Sequence, residues 1–599
     1  MKEPALGAVA AGEAAIAPWR VLGALAVGVV IWLAVGGGVR DWELQVPAIG
    51  VTLVTAGVLL IPNIRRVVAE LLGRIDHPSP RARAIAAGSI ALLSAGYFIL
   101  TAMQQGRYLH PAWHDEFSYA TQIRMLASGR LWMSEHPLGE FFESFYLLTR
   151  GVYASIYFPG TAMLYAPGVW LHLPLWVMPA LVAGGIVGLL YRIVCEMIDG
   201  AAAVLACLLA LSLTVLRMLS VMVMSQTPLV LFGLLTVYAF LRWREQRRLA
   251  WAVAIGIFAG WAAVTRPLDA ICFAAPVGVA MLWRLRGEWA GRWMGTMLLV
   301  VAGAGPFLAI QAVANHGIAG SWIRFPWSYY VDRDLPQSGI GFRSYDATRR
   351  PVSDLPQKQL FYARYIPSIV AEHQPARVPR AWFQRRMPML FTSTLPETLL
   401  VILLPAGLLI CGRRERWVLC AVLVLFVMLY ALSPFFLVHY PTTAAPACIL
   451  GVLLGAHALG LAWGRRREII RPVVFGVVAV LAGFALPQAR PDVRDQLFEP
   501  RLLRAVDEWE KSLPDEPAVV LFHFWPGRSI DQEPVYNIGV AWPDDARVVR
   551  AHDRGRENVR LYRYFAERQP RRVIYLFDEE TCTARRLGTS SELAAQAVD

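Results

Sequence analysis

Thirteen apolar runs, most of them 17 to 22 residues long, punctuate this chain and constrain it more than any other feature. A helix needs about 20 mostly apolar residues to cross the hydrocarbon core of a bilayer. Within lipid every backbone polar group must be satisfied inside the segment, which favours helices. The runs lie at 20–38, 45–62, 84–103, 175–195, 200–216, 220–241, 249–265, 267–283, 293–313, 395–411, 417–434, 441–462 and 472–487. Charged residues make up 17% of the 599, against roughly a quarter in soluble domains. The expectation is an α-helical polytopic membrane protein. Spans of helical length also exclude an outer-membrane barrel, whose strands are about half as long.

The net charge of +13 suggests nucleic acid until the basic residues are located. Arg65 and Arg66, and the clusters at 242–248, 284–292, 413–416 and 465–467, sit in short loops between apolar runs. That is the pattern of cytoplasmic loops, so no nucleic-acid partner is expected. The same charges decide the topology. With the N-terminus in the cytoplasm, the turn at 41–43 lies outside and the arginine-rich 65–83 inside. A further apolar run, 158–173, is short and broken by Pro159, Pro167 and Gly168. If it crossed, every later basic loop would fall outside, so it reads as interfacial or re-entrant, leaving about thirteen spans. The run at 21–35 lacks a small-residue cleavage site and reads as a retained first helix.

This topology implies a transmembrane module over 1–489 and a soluble domain over 490–599. Loop one (104–173), a middle loop (315–390) and the tail all lie outside. In the tail, 518–524 and 572–577 are strand-like and 554–568 is helix-like, which predicts a small α/β domain. Six of the seven cysteines fall in or beside apolar runs and Cys582 lacks a local partner, so neither a disulfide framework nor a C-x-x-C metal site is expected.

Chemistry is concentrated in loop one. Asp115 and Glu116 follow His114 just beyond the third run, at the membrane surface. A carboxylate there could deprotonate an acceptor, or Asp115 could help hold a divalent metal beside a phosphate leaving group. The bland reading is a solvated acidic turn; flanking aromatics and the re-entrant run weigh against it. Arg266, ahead of Pro267, is either a boundary arginine reaching headgroups or a cation that neutralises a phosphate, with Asp269 as its salt-bridge partner. His439, next to Tyr440, could simply cap a helix end. Glu143 reads as a residue that orients the loop. In the tail, His523, Asp531 and Glu533 form no triad or metal spacing.

Taken together, Asp115-Glu-Phe-Ser-Tyr119, Phe142-Glu-Ser-Phe145 and Tyr153-Ala-Ser-Ile-Tyr-Phe-Pro-Gly160 resemble the bacterial membrane glycosyltransferases of the C-type fold. That family includes protein O-mannosyltransferases and the lipid A aminoarabinose transferase. Thr265-Arg-Pro-Leu-Asp269, Gly320-Ser-Trp-Ile-Arg-Phe-Pro-Trp-Ser-Tyr329 and His439-Tyr440 extend the likeness over residues 110–450. The resemblance implies inverting transfer of a sugar from a polyprenyl-phosphate donor to an envelope glycan, lipid or protein, on the outer face of a bacterial inner membrane. Asp115 takes the position of the catalytic carboxylate, with Glu116 beside it. His114, Glu143, Arg150, Tyr157, Arg266, His439 and Tyr440 become candidates for substrate or lipid-phosphate contact. Where the family has a lysine thought to meet the phosphate, this chain has Ile156, so that contact must come from Arg150, Arg266 or His439. The absence of a glycine-rich phosphate loop after a strand fits a lipid-linked donor rather than a soluble nucleotide sugar. A flippase of lipid-linked glycans would instead place ionisable residues mid-helix, and a non-catalytic assembly protein would tolerate loss of Asp115 and Glu116.

Overall fold

The computed structural model describes residues 16–35, 42–486 and 500–596. The boundary expected at 489–490 and Asp41 of the expected outer turn lie outside these residues. Helices α1 (Pro18–Val35) and α2 (Trp42–Leu60) precede a 94° bend into α3 (Pro62–Ile75). Pro62 opens α3, where its missing N–H would have had no intrahelical partner. The 65–83 segment, read from charge as a loop, therefore begins as an amphipathic helix, with Arg65 and Arg66 on one side and Val67 and Leu71 on another. Next comes α4 (Pro80–Gln104), capped by the Ser79 hydroxyl, which accepts from the Ala82 amide at 3.2 Å.

Loop one contains α5 (His114–Ala127), strands β1 (Met133–Ser134), β2 (Leu147–Leu148) and β3 (Val152–Ser155), and α6 (Gly160–Trp170). The strands form an antiparallel sheet in the order β1-β3-β2. The run at 158–173 is represented by α6, whose 11 residues extend only about 17 Å and cannot cross a bilayer unaided. There follow α7 (Val177–Met197), α8 (Gly200–Ser212), α9 (Thr214–Leu219), α10 (Gln226–Gln246), α11 (Leu249–Ala263), α12 (Pro267–Leu285) and α13 (Ala290–Ala319).

Among the described residues, seven helices are long and apolar enough to cross a membrane, or nine if each of two bent pairs is one span. The sequence count of thirteen is larger because it scored apolar runs without their breaks and because two unbroken helices, α11 and Trp417–Tyr430, have only 15 and 14 residues. The run at 200–216 stops at Ser212 and restarts as α9. The run at 395–411 belongs to a pair, Val378–Thr394 and Thr398–Leu408, bent by 97°. The run at 220–241 begins as an irregular turn, and its helix continues through Arg242 and Arg244.

Small residues let these helices approach closely. A Cβ on Gly184 or Gly188 of α7 would lie 2.3 or 2.5 Å from the Ala91 or Ala87 carbonyl of α4. Gly256 and Gly260 of α11 meet Val300 and Ala304 of α13 in the same way. Both are glycine pairs four residues apart, the spacing that lets helices pack backbone to backbone in lipid.

Residues 500–596 begin with the Arg501–Lys511 helix and contain strands β4 (Ala518–His523), β5 (Val548–His552), β6 (Val573–Asp578) and β7 (Thr583–Thr589). Their order is β5-β4-β6-β7; the first three are parallel and β7 is antiparallel. This sheet shares a core with loop one: Leu138, Phe141 and Phe142 pack with Val519, Leu521, Val549 and Phe565. The His552 ring bonds the Glu143 carbonyl at 2.6 Å, His136 meets Asp544 at 3.1 Å, and Gln357 of the middle loop donates to Glu533 at 2.9 Å. Loop one, middle loop and tail thus build one layer beyond the end of α4.

Candidate functional site

The residues His114, Asp115 and Glu116 occupy the first turn of α5, where the helix dipole favours negative charge. Successive helical residues turn by about 100°, so the three side chains face three different surroundings. His114 faces the tail: its Nδ1 is 2.8 Å from the Tyr536 hydroxyl and its Nε2 2.8 Å from the Ile530 carbonyl. Burial pushes its pKa down to about 4, so the ring is neutral. Glu116 faces the turn between α9 and α10. Its two carboxylate oxygens accept from the backbone amides of Ala112 (3.1 Å) and Val223 (3.0 Å). Burial raises its pKa to about 7 against these bonds. Glu116 therefore ties loop one to residues 220–225.

Asp115 alone of the three stays partly exposed. Its Oδ1 accepts from the Tyr157 hydroxyl, the ring of which stacks on Tyr119 at 4.4 Å. Burial raises the Asp115 pKa, while the Tyr157 bond and the Arg266 charge pull it down. The two loop-one motifs are locked together here. Ser118 Oγ donates to the Tyr146 carbonyl at 2.7 Å and meets Ser155 Oγ at 2.8 Å, and the Gln122 amide donates to the Tyr157 carbonyl at 2.7 Å.

Arg266 is the residue just before α12. Its Nε pairs with Asp269 at 2.9 Å, Nη1 donates to Ser225 Oγ at 3.2 Å, and Nη2 donates to the Tyr430 hydroxyl at 3.0 Å. The guanidinium lies 5.1 Å from the centre of the Tyr440 ring. Asp269 also accepts from Thr443 at 2.7 Å and from Tyr430, so it anchors the arginine from several sides. The preceding segment is clamped to loop one. The Gly160 amide donates to the Val264 carbonyl at 2.7 Å, and the Trp261 indole donates to the Gly160 carbonyl at 2.9 Å. A Cβ at Gly160 would stand 2.3 Å from Thr265 Oγ1, so the motif's glycine sets the approach of α6 to the Arg266 turn. His439, held neutral with a pKa of about 3 by burial and by the Arg266 charge, sits beside Tyr440.

Of the residues named from sequence, His114, Asp115, Glu116, Tyr157, Arg266, His439 and Tyr440 converge on this region. Glu143 and Arg150 belong to an adjoining ionic cluster. The buried Lys358 Nζ is 3.0 Å from Glu143 and 3.7 Å from Asp334, and the half-exposed Arg150 is 3.7 Å from Glu143. Burial would raise the Glu143 pKa, but the Lys358 charge and hydrogen bonds from Ser353 and Lys358 hold it at about 2. Ile156 is buried with Leu148 and Ala314 around Tyr330, so it offers nothing to a phosphate. Among the described residues, no group of three or more His, Cys, Asp or Glu side chains is arranged to hold a metal ion.

Sequence reasoning passed over Tyr119, Ser225, Tyr430, Lys358 and Tyr536, and it assigned no chemistry to Asp531, whose charge is felt by both Asp115 and His114. Tyr119 lay within a quoted motif and could have been found. Tyr536 and Asp531 carried no local signal, since they meet loop one across some four hundred positions.

Residues 171–310 match the family model described as dolichyl-phosphate-mannose-protein mannosyltransferase. No curated protein sequence matches the chain significantly. Solved structures that resemble it include an Archaeoglobus fulgidus oligosaccharyltransferase in complex with zinc and sulfate (TM-score 0.42, 13% identity, 75% of this chain). This chain spans 61% of that protein's length. Another is ArnT from Cupriavidus metallidurans in the apo state (0.40, 16% identity, 80% of this chain and 92% of that one). The same protein bound to undecaprenyl phosphate gives 0.42 at 14% identity, covering 84% of this chain and 91% of that one. The family match begins beyond the motifs quoted from loop one and includes Thr265–Asp269, and it bears out the resemblance of this chain to the membrane protein mannosyltransferases.

Proposed function

We propose that this protein transfers a sugar from a polyprenyl-phosphate-linked donor to an acceptor in the cell envelope, on the face of the membrane that carries loop one. The observation that carries the reading is Asp115: a partly exposed carboxylate at a helix N-terminus, oriented by Tyr157 and lying in the field of Arg266. In this reading Asp115 takes the proton from an acceptor hydroxyl or amine. The acceptor attacks the anomeric carbon, the bond from that carbon to the phosphate oxygen breaks, and the electron pair leaves with the lipid phosphate. Arg266 neutralises the departing charge, a role suited to a planar guanidinium whose orientation is fixed by neighbours. His114 and Glu116 position α5, and Glu143 with Lys358 holds the layer above it. His439 and Tyr440 border the phosphate side.

In this reading the protein sits in a bacterial inner membrane, and the arginine-rich short loops support a cytoplasmic N-terminus with residues 490–599 on the periplasmic side. They support equally the larger count of about thirteen crossings, shorter helices included. No step is assigned to a divalent metal.

The test is transfer by purified protein in liposomes, wild type against Asp115→Asn, with a panel of radiolabelled polyprenyl-phosphate sugars and crude envelope acceptor. Label moved by the wild type and lost in the variant supports the reading. Equal labelling removes Asp115 as the base. No transfer with any donor, accompanied by passage of lipid-linked sugar across the bilayer, replaces the enzyme with a flippase.

A further inference from the structure

Helix α4 has 25 residues and spans about 37 Å, and Asp115 lies just beyond its C-terminal end. Residues before its N-terminal end therefore belong to the opposite membrane face. There α3 and the Arg467–Ala485 helix border a pocket of about 660 Å³, lined by Arg65, Arg66, Arg467 and Arg471 together with Glu70 and Glu468. Its walls also include apolar groups, Leu72, Ile469 and Pro472 among them.

The four arginines are not alike. Arg471 is structural: it pairs with Asp76 and, at 3.0 Å, with Asp199, joining the Arg467–Ala485 helix to the end of α3 and the start of α8. Among the described residues, Arg65, Arg66 and Arg467 take part in no ion pair, and Arg65 gives one guanidinium N–H to the Leu60 carbonyl at 3.2 Å. Three arginines that pair with no carboxylate among the described residues, lining one cavity with apolar groups in its walls, make a surface suited to an anion. The two glutamates lining the pocket are not engaged by these arginines either, so they moderate the positive potential without cancelling it.

We propose that this pocket binds the phosphate group of a membrane phospholipid, with Arg65, Arg66 and Arg467 around the phosphate and the acyl chains leaving along Leu72 and Ile469. Basic pockets between helices at a membrane surface take anionic headgroups in this way. The 94° bend at Ile61 is what creates the space, because it lays α3 across the foot of the bundle instead of continuing α2. This site is distinct from the Asp115 region and stands whether or not the protein transfers sugars.

The experiment is native mass spectrometry of the full chain released from phosphatidylcholine nanodiscs doped with phosphatidylglycerol, wild type against the double variant Arg66→Ala with Arg467→Ala. Arg66 is exposed and Arg467 half-buried, and thermal unfolding confirms that the variant remains folded. The expected result is retained phosphatidylglycerol on the wild type and about ten- to thirtyfold weaker retention by the variant. A parallel arm offers inorganic phosphate to protein in pure phosphatidylcholine. Saturable phosphate binding that the double variant loses supports the phosphate site and assigns it a soluble occupant. Equal retention of both ligands by wild type and variant overturns the proposal.

Discussion

The bond between Tyr157 and Asp115 has a measurable consequence. The phenolic hydroxyl donates to the carboxylate, which favours the charged form, so this bond lowers a pKa that burial raises. Tyr157→Phe removes the donor while keeping the ring stacked on Tyr119. A hydrogen bond to a charged group contributes about 1.5–3 kcal/mol when buried. Asp115 is partly exposed, so the lower half of that range applies, and about 1.4 kcal/mol corresponds to one pH unit. The sign follows directly. Without Tyr157 the carboxylate holds its proton to higher pH, and a base must be deprotonated to act. The acid limb of the transfer rate against pH should therefore move upward by about 1 unit, while the rate on the plateau falls less. The assay is sugar transfer in liposomes across a pH series, for wild type and variant side by side. An acid limb that stays in place would refute the assignment of Asp115 as the titrating base, whatever happens to the plateau.

Three other outcomes are expected. Lys358→Met should leave Glu143 and Asp334 buried without their cation and destabilise the protein by about 3–5 kcal/mol, read as a fall in unfolding temperature; because the Glu143 pKa is lowered from 4.5 to about 2, its contribution in the wild type is present above pH 4.5 and is lost as pH falls toward 2. Arg266→Lys keeps the charge but cannot reach Asp269, Ser225 and Tyr430 together, so kcat/KM for the lipid donor should fall by about ten- to a hundredfold, and unchanged kinetics would remove Arg266 from the phosphate role. Gly160→Ala places a Cβ against Thr265 and the Val264 carbonyl, so it should cost about 1–3 kcal/mol and lower transfer by displacing the Arg266 turn; wild-type stability with wild-type activity would show that this contact is not needed.

Much of the fold could be read along the chain because lipid imposes a local rule. Length and polarity of each apolar run report on a helix without reference to its neighbours, and among the described residues each of the thirteen runs contains a helix or part of one. Breaks are less legible. A 97° bend between Val378–Thr394 and Thr398–Leu408, and a restart at Leu213, depend on what the segment packs against, and hydropathy averages across them. The amphipathic nature of α3 was present in its sequence but was masked by reading its arginines only as topology markers.

For the site, the sequence by itself determined the chemistry on offer: Asp115 and Glu116 at the end of a span, and a tyrosine-rich motif forty residues later. Tertiary structure decided which of these groups are free to act. The helical turn sends Glu116 into two backbone amides and His114 into the tail, leaving Asp115 beside Tyr157 and within reach of the Arg266 charge. Those assignments come from contacts between residues as far apart as His114 and Tyr536, and local pattern holds no record of them, because burial and electrostatic coupling are properties of what the chain brings together.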